Sequence, residues 1–310
     1  MIKHGGFPLN VFKVLFNSCV CSVTDYGSEV WGYKEYESIS KIQQKAARAF
    51  LGLPKQAAIP GLLSELNWIE PRSRTQLQII RYYRKLNKMD DQRLTKRVYL
   101  WDRKLNDSGI IKTWSSEVRD ILDRNGLINI YTQNIFSLDN VSKALRQSLF
   151  KKDQNNWKSK CLPLPKLRTF NKFKDFTSDS PHIFKPLSFM QRKMLSKFRL
   201  GLLHLRIETA RFIRPRIPPE ERFCLICNNG EVEDESHFLL FCSKFEQKRQ
   251  ILFNKIPDFE SFLTLDSNEK LIFLVNDPNM VKQTAKFILS LIHISEPTRP
   301  LYISYAVFCL

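Results

Sequence analysis

Residues Glu221–Arg249 read ERFCLICNNGEVEDESHFLLFCSKFEQKR. Cys224 and Cys227 are separated by two residues, His237 follows after nine more, and Cys242 after a further four. Thiolate and imidazole are donors that zinc prefers, and four of them complete a tetrahedron. The Cys-x2-Cys pair lets both sulfurs reach one ion from a tight turn, and His237 and Cys242 can converge on it from a short helix end. The spacing therefore predicts a structural Zn2+ site made by Cys224, Cys227, His237 and Cys242, with no open position for a substrate. A redox Cys-x-x-Cys would leave His237 and Cys242 unexplained. Folding of the module 223–250 is expected to depend on metal. The acids between the ligand pairs, Glu231, Glu233, Asp234 and Glu235, read as a solvated loop. Reduced thiols and zinc together point to an intracellular compartment, nuclear or cytoplasmic.

Outward from this motif the chain is strongly basic. Its 310 residues carry 49 Lys+Arg against 31 Asp+Glu, a formal charge of +18. An excess of this size favours a polyanionic partner, RNA or DNA before an acidic membrane. Most of it is local: Val141–Arg222 holds 20 Lys+Arg and 6 Asp+Glu, a difference of +14. Inside that stretch Lys166–Phe176 reads KLRTFNKFKDF. Lys166, Arg168, Lys172 and Lys174 could neutralise phosphates, and Phe170 and Phe173 could stack on unpaired bases. The competing reading is a buried phenylalanine stripe, spaced by three, with lysines reaching past it to water. Arg192, Lys193, Arg206 and Arg211 extend the basic set toward the Cys/His motif, and Lys41, Lys45 and Arg48 line one side of an earlier helix.

The periodicity predicts a mainly α fold. Expected helices cover Glu37–Leu51, closed by Gly52, with Ile39, Ile42, Ala46 and Ala49 or Phe50 inward. Others run from Pro71 to about Lys88, over Ser115–Asn125 with Gly126 at its end, over Asn140–Lys160, and over Leu187–Phe198. Prolines 163, 165, 181 and 186 mark a boundary. The chain divides into segments 1–55, 56–162, 163–222, 223–250, 251–288 and 289–310. No run of about 18 uncharged apolar residues suits a membrane span. Seven cysteines without a regular framework argue against a secreted disulfide scaffold. There is no Ser/His/Asp set, Walker loop or GxGxxG, so neither an enzyme nor a small-molecule substrate is expected. Asp90-Asp91 reads as a helix terminus, because Lys88 stands where a polymerase aspartate pair would have an aromatic residue. His182 and His204 are lone histidines expected in packing or at the surface.

Taken together, Asp25–Gly32 (DYGSEVWG), Ile42–Pro54 (IQQKAARAFLGLP), Leu63–Trp68 (LSELNW), Lys166–Lys174, Phe198–Arg211 (FRLGLLHLRIETAR) and the Cys/His stretch resemble the C-terminal part of a non-LTR retrotransposon reverse transcriptase, especially that of jockey-like mobile elements. The resemblance implies that 1–55 is the end of a polymerase thumb and that Cys224, Cys227, His237 and Cys242 form the zinc-binding region that follows it. It implies a role in gripping template RNA or target DNA. The catalytic aspartates, the rest of the polymerase and the endonuclease would lie upstream of Met1 and become possible partners. Thr209-Ala210-Arg211 departs from the pattern, which has a glycine before the arginine, and this puts a local turn in doubt. Two other readings stand beside this one: a zinc-stabilised protein-interaction module, and a degenerate or mis-assembled fragment without function. The last draws on residues 289–310, where LSLIHISEPTR and ISYAVFCL read as translated sequencing adapter rather than native protein.

Overall fold

A computed structural model of the chain describes residues 8–109, 111–132, 139–183 and 185–295. The fold is mainly α. Its longer helices are α1 (Leu9–Phe16), α2 (Glu37–Leu51), α3 (Ile59–Leu66), α4 (Pro71–Asn87), α5 (Leu94–Asp107), α6 (Trp114–Arg124), α7 (Asp139–Cys161), α8 (Phe189–Arg199), α9 (Glu246–Phe253), α10 (Ser267–Asn276) and α11 (Val281–Ser295). Among the described residues the β structure amounts to one antiparallel bridge, Phe223 to Val232. No helix among them is long and apolar enough to cross a membrane.

Local chemistry sets the helix ends. Gly52 closes α2 in the left-handed region at φ 68, where a side chain would also meet Lys193 Cβ at 2.9 Å. Pro71 opens α4, where its missing N–H costs nothing. Asp153 of α7 accepts from Glu70 N at 3.0 Å and Ser73 Oγ at 2.8 Å, which anchors that end of α4. Ser188 and Gln191 form a capping box on α8, and Asp266 and Glu269 form one on α10. At Ala210, where the resemblance has glycine, φ is −70, so the turn needs no left-handed residue.

Two apolar cores result. One joins α4, α5, α6 and the first half of α7 through Ile80, Tyr83, Tyr99, Val118, Ile121 and Leu145. The other joins α1, α2, α3, the end of α7, α8, α10 and α11. Cys224, Phe238, Cys242 and Phe245 belong to this second core, so the Cys/His module is continuous with it.

Two expectations shift. Helix α2 buries Gln43, Ala47, Phe50 and Leu51, and Ile42 is 42% exposed. The inward face is turned by one residue because the Gln43 amide donates to Ile69 O at 2.9 Å and Phe50 stacks on Phe12, ring centroids 4.8 Å apart. At the other end α11 runs through Ser295, past the expected limit at Ile288. Leu291 is fully buried and Leu289 packs against the core. These leucines follow Val281, Ala285 and Ile288 in helical register, and an apolar run in register extends a helix whatever its origin. Residues 296–310 of the adapter-like segment lie outside the described residues.

Candidate metal centre

The module begins where Arg222, buried, fastens the preceding loop by donating to Ile207 O at 2.7 Å and Ile217 O at 2.9 Å. Cys224 N then donates to Glu231 O at 2.8 Å and Glu233 N to Arg222 O at 3.0 Å, closing a short hairpin. Its tip turns on Asn228 at φ 56 and Gly230 at φ 73, residue types that tolerate the left-handed region. The turn aims both sulfurs of the Cys-x2-Cys pair to one side. Asp234 Oδ1 accepts from His237 N at 2.8 Å and starts a π-helical turn, His237–Phe241. That turn ends at Cys242, whose N–H donates to His237 O at 2.8 Å, so the two later donors face the hairpin.

The four ligand atoms lie within 4.8 Å of one another. Cys227 Sγ and His237 Nε2 are 3.4 Å apart. Tetrahedral zinc with bonds of about 2.3 Å sets sulfurs about 3.8 Å apart, so small adjustments would seat an ion. Cys224, His237 and Cys242 are buried and Cys227 is half-buried. Burial pushes the Cys224 thiol up to about 12 and raises that of Cys242. A divalent cation reverses that preference, because it stabilises the thiolate directly. On the far side of His237, a Glu231 oxygen stands 2.8 Å from Nδ1, off the line of a good hydrogen bond. Carboxylates in this position orient ligating histidines. The donor set therefore fits a metal ion.

Arg249 on α9 supports the centre from behind. Its buried guanidinium donates to Leu239 O at 3.1 Å, Cys242 O at 2.6 Å and Glu246 Oε2 at 2.6 Å. It thereby satisfies carbonyls freed at the end of the π turn.

The acidic loop is the main correction. Glu233 and Glu235 are buried, not solvated. Glu233 accepts from Arg206 N at 2.9 Å, and its own carbonyl accepts from Ile207 N at 3.1 Å. Glu235 accepts two bonds from Arg168 Nη2, at 2.9 and 2.8 Å, and one from Thr169 Oγ1 at 2.7 Å. Arg168 also donates to Glu208 at 2.5 Å. It clamps the module to the preceding helical region. Replacing Arg168 with Met should cost about 3 kcal/mol, the low end for breaking a buried pair, since Arg168 keeps some solvent. Hydrogen exchange would show the loss as faster exchange at 231–237; unchanged protection there would refute the clamp.

The expected nucleic-acid contacts separate into groups. Lys41, Lys45 and Lys172 are exposed, though Lys41 pairs loosely with Glu37 at 3.0 Å and Lys172 donates to Asn268 Oδ1 at 3.0 Å. Arg48, Lys166, Lys193, Arg206 and Arg211 are half-buried, and Arg211 bonds Glu208 at 2.9 Å. Phe170 and Phe173 are core residues, packed edge to face at 5.7 Å, and the buried-stripe reading describes them. Lys174 and Arg192 are also buried: Lys174 Nζ donates to Ser178 O at 2.7 Å and Arg192 Nε to Phe50 O at 2.9 Å. These four are withdrawn from any contact surface by their own packing. Asp90 and Asp91 lie in the turn after α4, as expected, and His204 is exposed.

No protein-family model, curated protein or solved structure matches the chain.

Proposed function

We propose that the chain binds nucleic acid through its basic helical frame, as a non-catalytic C-terminal piece of a retrotransposon-type reverse transcriptase. In this reading the Cys/His module is a structural Zn2+ site. The observation that carries it is the quartet Cys224, Cys227, His237 and Cys242: four protein donors leave no position for a substrate, on a chain whose formal charge is +18. The family assignment rests on the sequence resemblance alone. RNA or DNA would be held by its backbone, with Lys41, Lys45 and Lys172 the most accessible of the expected cations. The zinc and reduced thiols fit an intracellular setting.

A salt titration tests the reading. Log affinity for a single-stranded RNA should fall linearly with log salt, by about 0.7 for each phosphate contacted. A flat dependence would exclude phosphate contact as the basis of binding. A second reading, a protein-contact module, is favoured by the outer face of α5, where Leu94, Val98 and Trp101 are 75%, 54% and 63% exposed. Absence of RNA binding at low salt would leave that face as the better guide.

A further inference from the structure

A cleft of ≈ 730 Å³ opens between α1, α4, α7 and the 67–69 turn, away from the Cys/His centre. Its apolar lining includes Trp68, Ile69, Leu77 and Phe150. Its cationic lining is Lys13, Arg74, Arg81 and Arg146. Asp25 is the single carboxylate among the described lining residues, and Arg74 already engages it through Nε and Nη2. The remaining Nη1 of Arg74 is buried without a hydrogen-bond partner. Lys13 Nζ is turned to Leu66 O at 3.0 Å, so it shapes the wall and leaves the outer charge to Arg81 and Arg146. These two are exposed, and they approach the cleft from different helices, α4 and α7. Gln78 and Gln147 add amide donors and acceptors beside them.

Each feature points to one kind of ligand. Pockets of about 300–1,000 Å³ suit small groups rather than a folded domain. Apolar lining with amide edges suits a planar heterocycle. Two outer arginines suit phosphates on either side of it, while Asp179 acts on Lys13 in the wall. A duplex keeps its bases stacked inside and offers no heterocycle to such a cleft.

We propose that this cleft receives one unpaired nucleotide of a single strand. Its base enters against Ile69 and Phe150, which are only partly buried, Gln78 and Gln147 meet its polar edge, and Arg81 and Arg146 hold the flanking phosphates. Arg74 Nη1 gains an acceptor when the cleft is filled. This rests on the nucleic-acid reading and narrows it to a location: Arg146 of the basic segment 141–222 together with Arg81, which lies outside that segment and the metal motif.

The test uses the full chain and a fluorescein-labelled twelve-residue oligouridylate. Arg81→Gln combined with Arg146→Gln should weaken binding about tenfold or more and lower the salt slope by about 1.4, the share of two phosphates on a single strand. Oligomers carrying 4-thiouridine should cross-link within 67–81 or 146–150. An unlabelled RNA duplex should compete poorly. If the wild-type chain binds but the double variant binds equally, or the cross-links fall elsewhere, the cleft assignment is overturned and the general reading survives. Equal competition by duplex would overturn the unpaired-nucleotide assignment. If the wild-type chain binds no oligonucleotide at low salt, both fail. Both arginines are solvent-facing, so the variant should keep the wild-type circular dichroism spectrum and melting temperature.

Discussion

Cys227→Ser should unfold the stretch from Arg222 to Phe253 while leaving the core of α4, α5 and α6 in place. Structural zinc contributes on the order of 10–16 kcal/mol of binding free energy in isolated finger peptides, and loss of one ligand removes much of it. Within the hairpin itself the backbone is held by one β bridge, and the tip at Asn228–Gly230 is exposed to water; its other anchors, Arg222, Glu233 and Glu235, lie at its base. The damage should spread beyond the ligands, because Phe238, Cys242 and Phe245 are packed into the same core as α8 and α11. Limited proteolysis would show new cleavage between 228 and 241, and the purified variant would carry less than one zinc per chain. Treating the wild-type protein with a chelator should give the same cleavage pattern. Unchanged protease resistance in both experiments would end the structural-metal reading.

The second large effect lies at a buried ionic cluster under α8. Arg199 bonds Glu65 through Nε and Nη2, and also donates to Val275 O at 3.0 Å and Asn276 Oδ1 at 2.8 Å. Ser180 Oγ donates to Glu65 at 2.7 Å, Lys174 Nζ reaches Ser180 Oγ at 3.1 Å, and His182 Nε2 is 3.3 Å from Glu65. Arg199→Met leaves the Glu65 carboxylate buried and short of its main partner, which should cost about 3–5 kcal/mol. Adding Glu65→Leu should recover part of that loss, because an apolar pair of similar volume avoids the stranded charge. Urea midpoints would decide it: a double variant no better than the single would mean that packing, not charge, sets the cost.

The same cluster fixes a pH response. Burial pushes His182 down to about 3, so it stays neutral in the fold while the unfolded chain takes up a proton below its ordinary 6.5. Stability from this group is therefore present above 6.5 and lost as pH falls toward 3. Burial opposes ionisation of Glu65, but Arg199 and His182 outweigh it and hold the carboxyl down to about 2, against an ordinary 4.5. Its contribution is likewise lost as pH falls from about 4.5. Asp153 runs the other way, pushed by burial up to about 6, and stabilises the fold as pH drops from 6 to its ordinary 3.8. Between pH 6.5 and 6 only the unfolded chain's His182 takes up a proton, so the urea midpoint should begin to decline there; below pH 6 Asp153, together with Glu233 and Glu235, whose carboxyls burial also raises, offsets part of the loss. His182→Asn should flatten the upper part of that decline; an unaltered profile would acquit the histidine.

The helices were legible because their signals are local. Gly52, Pro71 and Gly126 stand where the chain stops or starts a helix, and the structure has its boundaries there to within a residue or two. The ligand quartet was legible for a similar reason: a spacing along nineteen residues, from 224 to 242, is enough to bring the atoms together. What escaped was anything made by distant partners. Glu235 looks solvated in sequence because its partner, Arg168, is 67 positions away. Arg168, Lys174 and Arg192 look like a phosphate-binding series because composition records charge and not the carboxylates or carbonyls that already use it. Arg146 entered only as part of the charge of 141–222 and Arg81 was given no role, since only the packing of α4 beside α7 makes them neighbours across a cleft. Arg249 carries no signal at all, being an ordinary arginine until a π turn ends beside it.

Helix α7 has its first half in one core, at Val141, Leu145 and Leu149, and its far end in the other, at Trp157 and Cys161. At 1.5 Å per residue its 23 residues span about 35 Å. An unbroken helix of that length turns as a single lever. Trp157 and Arg146 are eleven residues apart, about three helical turns, so a twist imposed at Trp157 would carry to Arg146 and alter the aperture of the cleft. The two ends of the molecule therefore share an axle, and neither can be retuned by mutation without the other registering the change.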